Sequence, residues 1–85
     1  VTDPVELPIE DSIDLHTFQP KEIRDLLEEY LYQAGLRGYK EVRIIHGKGI
    51  GVQRSIVHSV LGKHPSVLAF RDAADRGSTT VILSR

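Results

Sequence analysis

Cysteine is absent from the chain, which excludes disulfide staples, thiolate zinc sites and a cysteine nucleophile. Aromatic residues make up only 6%, and Phe18, Tyr30, Tyr32, Tyr39 and Phe70 are dispersed, so no platform for stacking successive bases is evident. No apolar run approaches the roughly 20 residues of a membrane span, and no basic-then-apolar leader suggests export. The expectation is a cytoplasmic domain with no membrane partner. What is present, 40% hydrophobic and 27% charged residues over 85 positions, suits one small folded domain. Such a core must hold by packing alone.

A strong net charge is also missing: 11 Lys and Arg stand against 12 Asp and Glu. The distribution is uneven, however. Residues 1–30 carry nine acidic side chains against Lys21 and Arg24, whereas residues 31–85 carry nine basic ones against Glu41, Asp72 and Asp75. A nearly neutral chain can still present one cationic face to a polyanion, although charges that interleave in space would give the same counts.

Residues 1–11, with Pro4 and Pro8, read as an extended arm, with Leu7 and Ile9 placed to lie along the body. The domain proper then runs over residues 12–85. Ser12-Ile13-Asp14-Leu15-His16 alternates apolar and polar, which predicts a strand with Ile13 and Leu15 inward. Pro20 and Glu22 suit a first helical turn, and Ile23, Leu26, Leu27, Tyr30, Leu31 and Ala34 form a helical stripe before Gly35 and Gly38. Glu41–His46 predicts a second strand with Val42 and Ile44 inward. A second helix over about 52–63 carries Val52, Ile56, Val57, Val60 and Leu61, and Pro65 stops it. Residues 66–71 and 79–83 read as strands joined by the Asp75-Arg76-Gly77-Ser78 turn.

The order β-α-β-α-β-β predicts an α/β fold of the α+β two-layer kind, with a four-stranded mixed sheet and two helices on one face. Ligands gather at the carboxyl ends of parallel strands in such sheets. Two unusual segments fall there. Asp14-Leu15-His16 places a carboxylate and an imidazole two residues apart on one strand face, where the Asp can fix the His tautomer. An ordinary solvent-facing strand has the same pattern. His46-Gly47-Lys48-Gly49-Ile50-Gly51 is a strand end, a glycine loop and a helix start; three glycines in five residues exceed what a plain turn needs and favour an anion site over simple turn geometry. It is neither a Walker loop nor a dinucleotide fingerprint. His58 and His64 read as structural.

Together the two segments resemble the small MutS-related, or Smr, domain family, whose signature is an Asp-Leu-His-Gly box followed by His-Gly-x-Gly. Here these are Asp14-Leu15-His16-Thr17 and His46-Gly47-Lys48-Gly49, and the similarity continues through Arg54, His64-Pro65 and Phe70-Arg71-Asp72-Ala73 over roughly residues 11–84. Thr17 departs from the family's glycine, and Gly77-Ser78-Thr79-Thr80 is poorer in glycine than the family's C-terminal segment. The resemblance implies a fold like the C-terminal domain of translation initiation factor three. It also implies a domain that binds DNA or RNA and, in many members, nicks or cleaves it.

Phosphodiester cleavage needs proton transfer and neutralisation of charge at phosphorus. The expected catalytic set is Asp14, His16 and His46: His16 is the acid/base group, Asp14 orients it, and His46 is either a second acid/base group or a phosphate contact. Gly47, Lys48, Gly49 and Gly51 are expected to hold the phosphate, and Arg43 and Arg54 to follow the flanking backbone. With Asp14 the only carboxylate near the predicted site, no protein-held metal is expected, and Mg²⁺ would arrive with a DNA substrate. RNA, with its internal 2′-hydroxyl nucleophile, needs none. The alternatives are a non-catalytic module that binds nucleic acid or a protein partner, and a domain that binds a phosphorylated metabolite.

Overall fold

The computed structural model describes residues 9–47 and 51–83. The elements are β1 (Ser12–Asp14), α1 (Pro20–Leu36), β2 (Glu41–Ile45), α2 (Val52–Lys63), β3 (Val67–Asp72) and β4 (Ser78–Leu83), in the order expected. Pro20 stands at the start of α1, where its missing N–H costs nothing, and the Glu22 carboxylate accepts the Gln19 backbone N–H at 3.0 Å. Gly35 stays within the helix. The helix ends at Arg37, and Gly38, at φ +78°, turns the chain toward β2.

The sheet order is β1-β2-β4-β3. β1 pairs with β2 in parallel, as a helical crossover requires, and β4 lies antiparallel to both of its neighbours. The hairpin's second strand therefore enters the middle of the sheet and its first strand becomes an edge. In β3 the register slips between Val67 and Ala69, leaving Leu68 exposed.

Alternation divides the sheet into two faces. Val42, Ile44, Val81 and Leu83 are buried with Ile23, Leu27, Leu31 and Ala34 of α1 and Val57, Val60 and Leu61 of α2. Each fully buried aliphatic side chain contributes about 1.5–3 kcal/mol. Leu15, just past β1, is also fully buried. Among the described residues, nothing packs over the opposite face. Its register brings Ser12, Arg43, Thr80 and Arg71 into one row across all four strands, and both arginines are exposed. Behind β1, the hydroxyls of Tyr30 and Tyr39 donate to the carbonyls of Glu10 and Ile9 at 2.5 and 2.6 Å. Burial pushes the Tyr30 phenol well above its ordinary value, helped by the nearby charge of Asp11. Ile9 packs on the core as expected, and Leu7 lies outside the described residues.

Candidate functional site

The site begins where β1 and β2 end together. The Leu15 N–H donates to the Ile45 carbonyl at 2.7 Å, extending the parallel ladder by one bond before the chain turns with Phe18 N–H on the Leu15 carbonyl. Within this turn the Asp14 carboxylate accepts the His16 backbone N–H at 3.0 Å and meets His16 Nδ1 at 2.5 Å. A carboxylate accepts only, so Nδ1 carries the proton and the neutral ring keeps its lone pair on Nε2. The hydrogen bond from the His16 ring, aided by that from its backbone, holds the Asp14 carboxyl below its ordinary value. Both side chains are about half exposed. An oriented imidazole open to solvent is able to move a proton.

Beside it lies the second turn. His46 and Gly47 both donate their backbone N–H to the Gly77 carbonyl, at 3.1 and 3.0 Å. Gly47 has φ +83°, and a Cβ built on it would lie 3.1 Å from His16 Cβ. The two histidine-bearing turns are thus in contact. Gln53 of α2 donates to the Phe18 carbonyl at 3.4 Å, which brings the start of that helix to the same rim. The first-turn amides of α2 have no acceptor within the helix, Gly51 is its N-cap and no acidic residue occupies its first turn. A shallow groove of about 340 Å³ lies on the open side, lined by Arg43, Ile45, Gly47, Asp75, Gly77 and Ser78.

The Smr domain description matches residues 13–84. The chain belongs to the Smr domain family. It is similar to Endonuclease MutS2 of Helicobacter pylori, with 43% identity over 61 residues, and to Endonuclease MutS2 of Clostridium novyi, with 40% over 60 residues. These matches cover 72% and 71% of the chain but only 8% of each relative's length. Among solved structures, the Smr domain of Thermus thermophilus MutS2 superposes with a TM-score of 0.83 at 28% identity, covering 87% of this chain and 98% of that one. YdaL, a stand-alone small MutS-related protein from Escherichia coli, gives the same TM-score and identity over 88% of this chain and 65% of that one.

Within this Smr domain the expected site residues separate. Asp14, His16 and Gly47 come together, and Arg43 shares the open face with Asp14 because its register partner Ser12 lies two residues before Asp14. Lys48 and Gly49 lie outside the described residues. His46 corrects the expectation. Its side chain is 2% exposed, so it offers neither an acid/base group nor a phosphate contact at the groove. Its Nδ1 bonds the Gly47 carbonyl at 3.0 Å and its Nε2 bonds Thr79 Oγ1 at 2.9 Å. The Gly47 amide is likewise taken by the Gly77 carbonyl.

Arg54 is already engaged within the chain. Its guanidinium makes two hydrogen bonds to Asp72 Oδ2, one of them 2.9 Å from Nε, so its charge answers a carboxylate of the same chain. Those bonds raise the Arg54 pKa and, with smaller help from Thr79 and His58, bring the Asp72 pKa down to about 2. Arg71 and Asp75 escaped the sequence reading of the site, and His58, read as structural, takes part in a wider network than its position suggested. Arg71 completes the arginine row, and only strand register reveals it. Asp75 lines the groove, where its Oδ1 accepts the Gly77 N–H at 2.8 Å. His58 contacts Asp72 Oδ1 at 2.9 Å and Thr79 Oγ1 at 3.1 Å, so it belongs to a polar cluster with His46. His64 Nδ1 accepts the Ser66 N–H and caps the turn after α2, the structural role expected of it. Among the described residues, no helix is long and apolar enough to cross a membrane.

Proposed function

We propose that this domain binds the backbone of structured nucleic acid along its open sheet face and cleaves a phosphodiester at the rim, with His16 as the acid/base group. One observation carries this reading: an exposed imidazole, oriented by Asp14, abuts the Gly47 turn at the carboxyl ends of the parallel strands. The name of the MutS2 relatives, endonuclease, points the same way. Arg43 and Arg71 follow the flanking phosphates. The α2 start at Gly51, with Lys48 and Gly49 preceding it in sequence, takes the reacting one.

RNA suits this geometry better than DNA. His16 Nε2 accepts the 2′-hydroxyl proton, the 2′-oxygen forms a bond to phosphorus, and the bond to the 5′-oxygen breaks. The leaving oxygen takes its proton from solvent, giving a 2′,3′-cyclic phosphate and a 5′-hydroxyl. DNA lacks that nucleophile and requires an activated water, with Mg²⁺ brought by the substrate. The rival reading, binding without cleavage, draws on the burial of His46, which leaves His16 as the single exposed imidazole beside the Gly47 turn.

End-labelled structured RNA and branched DNA, incubated with the purified chain with and without EDTA, separate these readings. Cleavage is expected to disappear in His16→Ala and fall sharply in Asp14→Asn, while affinity persists. Cleavage that is unchanged in His16→Ala refutes the enzyme. Binding without cleavage by the native chain supports the module.

A further inference from the structure

On the opposite side of the sheet from the groove, β2, α2, β3 and β4 bring His46, His58, Asp72 and Thr79 together. One ligating atom from each of His46, His58 and Asp72 lies within 4.8 Å of the other two. We propose that these three residues form a site for one divalent transition-metal ion of the zinc type, distinct from the acid/base pair at Asp14 and His16. The proposal revises the expectation that the chain holds no metal.

The distances are those of a nearly assembled coordination shell. In a tetrahedral site with bonds of about 2.0–2.1 Å, neighbouring donor atoms are roughly 3.3 Å apart. Here Thr79 Oγ1 is 2.9 Å from His46 Nε2, 3.1 Å from His58 Nε2 and 3.1 Å from Asp72 Oδ1, and His58 Nε2 is 2.9 Å from Asp72 Oδ1. Four of the six edges of a donor tetrahedron are already closed. The remaining two, from His46 to His58 and to Asp72, close by side-chain adjustment, with the Thr79 hydroxyl or a water as fourth ligand.

The surroundings orient the donors as a metal site requires. The Gly47 carbonyl is an acceptor, so it fixes the proton of a neutral His46 on Nδ1 and leaves the Nε2 lone pair facing the cluster. Arg54 occupies Asp72 Oδ2 and leaves Oδ1 turned toward His58 and Thr79. In the metal-free cluster His58 Nε2 donates to Asp72. On binding, the ring carries its proton on Nδ1 instead, by exchange with water, and Nε2 turns its lone pair to the ion. The His58 and Asp72 side chains are 28% and 21% exposed, which provides the way in, whereas His46 forms the buried floor.

Two imidazoles and one carboxylate select zinc, nickel, copper or cobalt over Mg²⁺ and Ca²⁺, which favour oxygen. The bound ion joins the end of β2 to α2 and to the β3–β4 hairpin.

The chelator-treated 85-residue chain, titrated with Zn²⁺ alone, tests the proposal. The expected result is saturable binding of one equivalent, a melting temperature raised by several degrees, and perturbed NMR signals from the His46 and His58 rings but not from His16 or His64. Mg²⁺ at the same concentration leaves those signals in place. His58→Gln and Asp72→Asn lower zinc affinity at least tenfold, whereas His64→Gln retains it. The absence of one-equivalent binding overturns the proposal. So do ring perturbations confined to His16 or His64, an equal response to Mg²⁺, or undiminished affinity in both ligand variants. The NMR arm uses the native chain, so the test stands even where a variant folds poorly.

Discussion

Replacing Gly47 with alanine probes the contact on which the functional reading depends. Two costs are expected. The first is conformational: Gly47 sits at φ +83°, and a residue with a Cβ held in the left-handed region loses about 1–2 kcal/mol. The second is steric. The new Cβ lies 3.1 Å from His16 Cβ, so the His16 turn must retreat by a few tenths of an ångström. For a domain of this size each kcal/mol lowers the melting temperature by about 4–8 °C. Gly38 provides the control, because it has φ +78° and open space around its would-be Cβ. Gly38→Ala and Gly47→Ala should therefore show similar conformational losses by thermal circular dichroism. Only Gly47→Ala should also shift the His16 ring signals and reduce cleavage beyond what its lowered stability explains. If the two variants affect His16 alike, the abutment of the turns is refuted. A Gly47→Ala variant as stable as the native chain would be equally damaging.

Two further outcomes follow from the charges. Asp14 and Asp72 both have depressed carboxyl pKa values, Asp72 at about 2, so the stability they confer is complete above the unfolded value near 3.8. It is lost as pH falls from about 5 toward 2, and melting curves for Asp72→Asn should show a shallower acid limb than the native chain. In nucleic-acid binding, Arg43→Ala and Arg71→Ala should each reduce the slope of log K against log salt by about 0.7–0.9. Arg54→Ala should change that slope less while lowering the melting temperature, because its partner is Asp72; a full-sized change in slope would show that Arg54 does reach phosphate.

Much of the fold was legible because its signals are local. The apolar stripe of α1 lies where Ile23, Leu27, Tyr30, Leu31 and Ala34 are buried, and both bounds of α2 match their glycine and proline signals. The insertion of β4 between β2 and β3 was not legible, since alternation marks a strand's faces but not its neighbours. The fate of His46 was. With Val42 and Ile44 inward, period-two alternation places His46 inward as well, a rule that the adjoining glycines obscured. Asp72 presents the opposite case: its bonds to Arg54 and His58 span 18 and 14 residues, and no local pattern announces them. The Asp14–His16 pair could be read because both partners lie on one short segment.

β1 is a three-residue edge strand, held by one parallel neighbour and by the Leu15 bond beyond its end. Everything proposed for His16 hangs from that short hem. Partial unravelling there would separate His16 from Gly47 while α1, α2 and the other strands stay folded. Whatever grips the hem in place, a strand of nucleic acid laid across the rim included, would thereby tighten the residues proposed to act on it, so that occupancy and competence would rise together.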